Sequence, residues 1–293
     1  MTLSIVRRTF ALALVLISSA TLAEDARAVL NNLPGLDFSR LPVAAQSQLA
    51  QVFTDEFDYC GRPMTLAASL KKGDACKHTR RLAAYAAAQA NDGSPSTEII
   101  NALSKYNQSF TAKRPTLKPD ERLCQGPVMA KVTVIEFSDF ECPYCAAARP
   151  MLEQLASARP QMRLCYAPFP LSGHPHGLPA AQTAMFARDY GKFWPMHDML
   201  FDNQTAFSDQ LFGQLAKKLG LDDKLLAKAL GSGKYKEELD ASREMGKAAG
   251  VDSTPSIFFN GRKLSLIPTA ESLAVSLDDE LDWTDGHNAW PSN

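Results

Sequence analysis

The chain has 293 residues, 45% of them hydrophobic and 22% charged, with a formal net charge of −1. That length allows one large domain or two smaller ones. The near balance of 31 basic and 32 acidic residues gives no electrostatic reason to expect nucleic-acid binding.

Residues 1–23 read as a secretory signal. Arg7 and Arg8 form a positive start, residues 10–17 are apolar, and small residues lead to a cut after Ala23. Ala26-Arg27-Ala28 offers a second cleavage site, and an uncleaved anchor is the alternative. The apolar run is shorter than the roughly 20 residues a spanning helix needs. Export, with a periplasm as the expected destination, would let the six cysteines form lasting disulfides.

Residues 24–118 predict a small helical region. Within 43–57, Leu49, Val52, Phe53 and Phe57 recur at helical intervals. Residues 79–90 are alanine-rich, and Asp92-Gly93-Ser94-Pro95 is a break. Ser96 is the expected cap of the next helix, with Ile99, Ile100, Leu103 and Tyr106 on its apolar face. Residues 113–122, charged and holding two prolines, read as a linker. Cys60 and Cys76 lie close enough in sequence to tie two helices together. Such a loop closure contributes roughly 3 kcal/mol.

From residue 128 the pattern changes to alternating strand and helix. Residues 131–137 form an apolar, β-branched run, as in a strand covered on both faces, and carry one acid, Glu136. A short turn leads to Cys142-Pro143-Tyr144-Cys145 and a helix over 143–158. Pro143 suits a first helical turn, and Pro150 should kink the helix. A strand over 162–167 completes a β-α-β unit. Residues 178–250 predict a helical insertion. Strands over 256–260 and 263–267 flank Asn260-Gly261, a strong hairpin signal. A helix over 269–277 and a mobile acidic tail, 279–293, end the chain. The fold class is therefore α/β: a thioredoxin fold at 124–278 with a helical insertion, preceded by a small α-helical region.

A Cys-x-x-Cys pair where a helix begins suits thiol–disulfide exchange. The free amides and dipole of a helix N-terminus favour a thiolate at Cys142. Cys145, one turn later, should face inward and act as the resolving thiol. Glu136 is costly inside an apolar strand unless it has work or partners, and it is placed to take the proton of Cys145. Glu141 would oppose the thiolate if close and charged. One such pair falls short of the four ligands of a structural zinc site, so no metal and no cofactor is expected. Elimination leaves Cys124 and Cys165 as a third bond or as buried thiols. Phe193, Trp194, His197 and Phe201 read as insertion core, and His174 and His176 as loop residues near the site.

Glu136-Phe-Ser-Asp-Phe-Glu-Cys-Pro-Tyr-Cys145, Pro168-Phe-Pro-Leu171, Gly191-Lys-Phe-Trp-Pro-Met-His-Asp-Met-Leu-Phe201 and Val251-Asp-Ser-Thr-Pro-Ser-Ile-Phe-Phe-Asn-Gly261 occur in an order that resembles the DsbA family of exported thioredoxin-like oxidoreductases. The resemblance covers about residues 124–278. It implies a cis Thr254-Pro255 bond facing Cys142, Glu136 as the buried acid, and Pro143, Tyr144, Thr254 and Pro255 as substrate contacts. It also implies exported proteins with free or mispaired cysteines as substrates, and a membrane redox partner. The expected activity is oxidation of protein thiols. Two alternatives stand beside it: an isomerase or reductase that oligomerises through residues 24–118, and a thiol-dependent copper-binding or chaperone protein.

Overall fold

A computed structural model describes residues 24–290. The predicted signal at 1–23 lies outside the described residues. The chain divides into two compact units. One comprises the chain up to Phe110 together with the segment from Asp282, and the other runs from Thr111 to Leu281.

The first unit is helical: α1 (24–30), α2 (Val43–Asp55), α3 (Leu66–Lys72), α4 (Lys77–Asn91) and α5 (Ser96–Gln108). α2 packs on α3, α4 and α5, burying Leu49, Val52, Phe53, Leu82, Leu103 and Tyr106. The cap of α5 differs from expectation. Pro95 is the N-cap, and Ser96 instead donates its backbone N–H to Gln48 Oε1 at 2.6 Å. Phe57 does not join the apolar face. It is 66% exposed, because α2 ends at Asp55 and Phe57 pairs in an isolated bridge with Thr65. Cys60 and Cys76 form a disulfide whose second member is the N-cap of α4.

The expected mobile tail is a correction. α12 runs over Ala270–Asp285, and Trp283 is buried. Trp290 stacks on His78 with ring centroids 3.6 Å apart and lies 4.7 Å from Phe110. Two indoles bury more apolar surface than the acidic neighbours could offset by solvation.

The second unit is built on a five-stranded sheet in the order β1-β3-β2-β4-β5. Its strands are β1 (Cys124–Gln125), β2 (Val132–Ser138), β3 (Met162–Pro168), β4 (Ser256–Phe259) and β5 (Arg262–Lys263). β2 and β3 are parallel and joined by α6 (Pro143–Ala158); the other pairs are antiparallel. This is the thioredoxin fold. The insertion contains α7 (Gly177–Arg188), α8 (Phe193–Asp202), α9 (Asp209–Lys218), α10 (Asp223–Ser232) and α11 (Lys236–Ala248), with a 3₁₀ turn at Gln204–Ala206.

Three sequence expectations change here. The pair β1 was not foreseen. Cys124 sits directly opposite Cys165 on β3, and the two are disulfide-bonded. β5 is two residues rather than five, although the Leu264 N–H still reaches Ile257 O at 2.8 Å. The predicted linker 113–122 is packed rather than free. Arg114 bonds Glu280, and Pro115 approaches Gly261 so closely that a Cβ there would lie 2.7 Å from the Pro115 oxygen. The hairpin turn is as the sequence suggests, with Asn260 at φ 47° and Gly261 at φ 82°.

Candidate functional site: a dithiol at a helix N-terminus

β2 ends at Ser138, and four residues turn the chain into α6, with Cys142 as N-cap and Pro143 in the first turn. The Cys142 carbonyl accepts the N–H groups of Cys145 and Ala146 at 3.1 and 3.2 Å. Cys142 and Cys145 are unbonded and both buried. Thr254-Pro255 is cis and meets this dithiol, because the Cys142 thiol donates to Thr254 O at 3.3 Å. Cys142 keeps only 3% of its surface, whereas Tyr144 between the cysteines is 74% exposed.

The two sulfurs have opposite proton affinities. A hydrogen bond from the Cys145 thiol is the largest influence on Cys142. Burial opposes it, while the Thr254 side chain and the N–H groups of Cys145 and Tyr144 assist it, and the Cys142 pKa falls to about 5. Cys145 moves well above the ordinary thiol range. Burial is the first cause, followed by its bond to Cys142 and the charge of Glu136.

Glu136 is fully buried on β2, opposite Tyr166. Burial raises its pKa to about 7, helped by the charges of Cys142 and Glu153. The buried Ser138 hydroxyl makes no hydrogen bond of its own, yet lies near enough to both Glu136 and Cys145 to favour their charged forms.

Several groups at this site carried no role in the sequence reading. The buried Asp139 carboxylate accepts from Glu141 N (2.9 Å), Leu171 N (2.8 Å) and His174 Nδ1 (2.7 Å). Gly177 leaves it room, since a Cβ there would come within 2.7 Å of Asp139 Oδ1. Burial pulls the His174 imidazole down, but Asp139 and the charges of Cys142 and Glu141 outweigh it, so its pKa is raised. Glu141 does not stand free beside the thiolate. It accepts from His176 N at 2.6 Å and lies 3.3 Å from His176 Nδ1. Gln204 Nε2 donates to the carbonyls of Phe140 (2.8 Å) and Cys142 (2.9 Å), clamping the turn from the insertion. Nothing in the local sequence marks Gln204, because its partners are backbone atoms more than sixty positions away. The insertion aromatics Phe193, His197 and Phe201 pack with Phe140 and Tyr166 as a cluster under the turn.

A family described as thioredoxin matches residues 118–279. Among curated proteins, the chain is 36% identical over 150 residues to Na(+)/H(+) antiporter NhaA 3 of Salinispora tropica, covering 50% of this chain and 22% of that protein. It is 27% identical over 164 residues to the probable disulfide bond formation protein D of Bacillus cereus, covering 52% of this chain and 75% of that protein. Among solved structures, oxidised BdbD from Bacillus subtilis aligns with a TM-score of 0.50 at 19% identity, over 58% of this chain and 99% of that one. The chain thus spans about a quarter of the length of the first curated relatives it matches. No helix among the described residues is long and apolar enough to cross a membrane.

Proposed function

From the premise that the chain belongs to the thioredoxin family, we propose that it is a DsbA-type thiol–disulfide oxidoreductase that oxidises cysteines of exported proteins through Cys142 and Cys145. The observation that carries this reading is the unbonded Cys142–Cys145 pair at one helix N-terminus, with the Cys142 thiol 3.3 Å from Thr254 O of the cis Thr254-Pro255 peptide.

A substrate thiolate attacks Sγ of Cys142 in the oxidised Cys142–Cys145 bond. A mixed disulfide forms, and Cys145 leaves as a thiolate. Cys145 is a poor thiolate here, so it takes a proton at once, and Glu136 with a pKa near neutrality is the donor. A second substrate thiolate then attacks the substrate sulfur and releases Cys142. Two electrons pass from substrate to protein, and the sulfurs alone carry them. Pro143, Tyr144, Thr254 and Pro255 border Cys142 and are the substrate contacts. A membrane redox partner returns the pair to the disulfide. The reaction takes place outside the cytoplasm, which the Arg7–Ala23 signal pattern and two further disulfides support.

The lowered Cys142 pKa favours oxidase over reductase. A stabilised thiolate makes the reduced form the preferred one, and such a pair draws electrons from its substrates. The test is the reduction potential of Cys142–Cys145 in a glutathione buffer. A value well above that of thioredoxin, about −270 mV, is expected. A value at or below it would assign the chain to reduction.

A further inference from the structure

Each catalytic cycle moves a proton to Glu136 and another away from it, yet Glu136 is almost wholly cut off from solvent. The proton needs a route. Glu136 borders a small cavity that is also lined by Arg149, Glu153, Tyr166, Trp194 and His197 among others. It has about 10 Å³ of room for a water-sized sphere, close to the lower bound of roughly 10–15 Å³ for one water. Three of its lining side chains carry a buried polar atom without a hydrogen-bond partner: Glu136 Oε1, Arg149 Nε and Trp194 Nε1. Arg149 Nε has the Glu153 carboxylate 3.9 Å away but no hydrogen bond, and three such atoms around one water-sized space are what an ordered water needs, since buried waters make two to four hydrogen bonds. They are also costly to leave unpaired, at roughly 1–3 kcal/mol each.

His197 continues the route outward. Its ring is buried, and its Nδ1 lies 2.8 Å from Oδ1 of Asp198, a half-exposed carboxylate. Asp198 is an acceptor, so in the reduced dithiol Nδ1 carries the ring proton and Nε2 is the basic nitrogen. Burial lowers the His197 pKa, which keeps the ring neutral and able to pass protons either way. The charged and titratable groups around the route are Asp139 and Cys142 from the turn, Cys145, Arg149 and Glu153 from α6, Tyr166 from β3, and Asp198 and Asp202 from α8.

We propose that Glu136 exchanges its proton with solvent through a cavity water, His197 and Asp198, making His197 a proton-relay residue of the insertion. When the protein is reduced, Glu136 gives its proton to Cys145. Nε2, which carries the ring proton in the oxidised protein, releases it to the water, the water reprotonates Glu136, and Asp198 passes a solvent proton to Nδ1, which leaves the Nδ1–H tautomer of the reduced dithiol. When the protein is reoxidised, Cys145 returns the proton to Glu136 and the transfers run backward. One proton enters and one leaves per cycle, so the His197 tautomer resets without a ring flip.

The inference rests on Glu136 as the proton partner of Cys145, and the test separates the two. Full-length protein, His197→Phe and Glu136→Gln are compared in single turnover with a dithiol peptide, from pH 5 to 9, in light and heavy water. His197→Phe is expected to slow the Cys145-dependent step by roughly tenfold or more, to enlarge its solvent isotope effect, and to leave the Cys142 titration and the equilibrium potential unchanged. A wild-type rate in His197→Phe with a slow Glu136→Gln would overturn the relay alone. A wild-type rate in Glu136→Gln would remove the acid itself. Should His197→Phe fail to fold, a high-resolution crystal structure of the unaltered protein decides. An ordered water bonded to both Glu136 and His197 is expected, and a dry cavity sinks the relay.

Discussion

Cys142 and Cys145 share a chemistry but not an environment, and the difference can be titrated. Alkylation of Cys142 in the reduced protein should rise with pH through a midpoint near 5, far below the usual 8.5 for a thiol. A midpoint above 7 would remove the basis for a stabilised thiolate. Glu136 gives a stability test of the opposite sign. Its folded pKa of about 7 stands above the ordinary value near 4.3, so folding disfavours its charged form. The resulting cost is absent below about pH 4, grows as the pH rises, and is complete above 7. Glu136→Gln should therefore gain stability over the unaltered protein across that window, reaching about 3 kcal/mol at pH 8. Denaturant melts of both proteins at pH 4 and 8 would measure it, and parallel pH profiles would contradict it. Gln204 is a positioning residue. Gln204→Ala strips two hydrogen bonds from the Phe140 and Cys142 carbonyls, which should raise the Cys142 titration midpoint and cost about 1–3 kcal/mol. An unmoved midpoint would leave Gln204 a purely structural role. The cysteines and Glu136 were legible because chemistry-bearing residues stood in an apolar run. Asp139 and Gln204 were not, since each acts on backbone groups that only the folded turn brings near.

At the scale of elements, periodicity located α6 to the residue, because Pro143 fixes its start. It located β2 and β3 to within a residue; β2 is a buried β-branched run, which has few competing readings, and β3 is buried along its whole length. It failed at β1, whose two residues offer no period and which pairs opposite Cys165 on β3. It also cut α12 short, because the acids after Leu277 looked like solvated tail. One of those acids is central to the packing. Glu280 and Arg262 are both fully buried and bonded at 2.9 Å, and Arg262 also donates to Ser276 O at 3.1 Å. Arg114 bonds the same carboxylate. Together they tie the β4–β5 hairpin, which follows the cis-proline loop, to α12. Glu280→Ala would take the Glu280 carboxylate from the buried Arg262 guanidinium and should cost about 3–5 kcal/mol. Thermal melts would register this as a large fall in Tm; a change within error would mean that solvent reaches Arg262.

For the whole molecule, the family match ends at residue 279, and the chain from Asp282 onward belongs with the helices before Phe110. The last residues therefore complete the N-terminal unit, which the sequence could not reveal because the partners are nearly two hundred positions apart. Arg81 bonds Asp282 at 2.6 Å. Trp283 and Trp290 close an aromatic cluster with His78, Tyr106 and Phe110. Trp283 is 6% exposed, so its truncation removes a large buried ring from the unit. Trp283→Ala should lower the stability of residues 24–110 by about 3–5 kcal/mol. Native-state hydrogen exchange reads this element by element. Protection is expected to fall in α4 and α5, whose His78 and Tyr106 pack on Phe110, the ring that Trp283 covers. The Cys142 titration should stay in place, because no group that sets it lies in this unit. If protection in α4 and α5 is unchanged, the tail packs there without stabilising it, and the helices before Phe110 hold together on the α2 core and the Cys60–Cys76 bond alone.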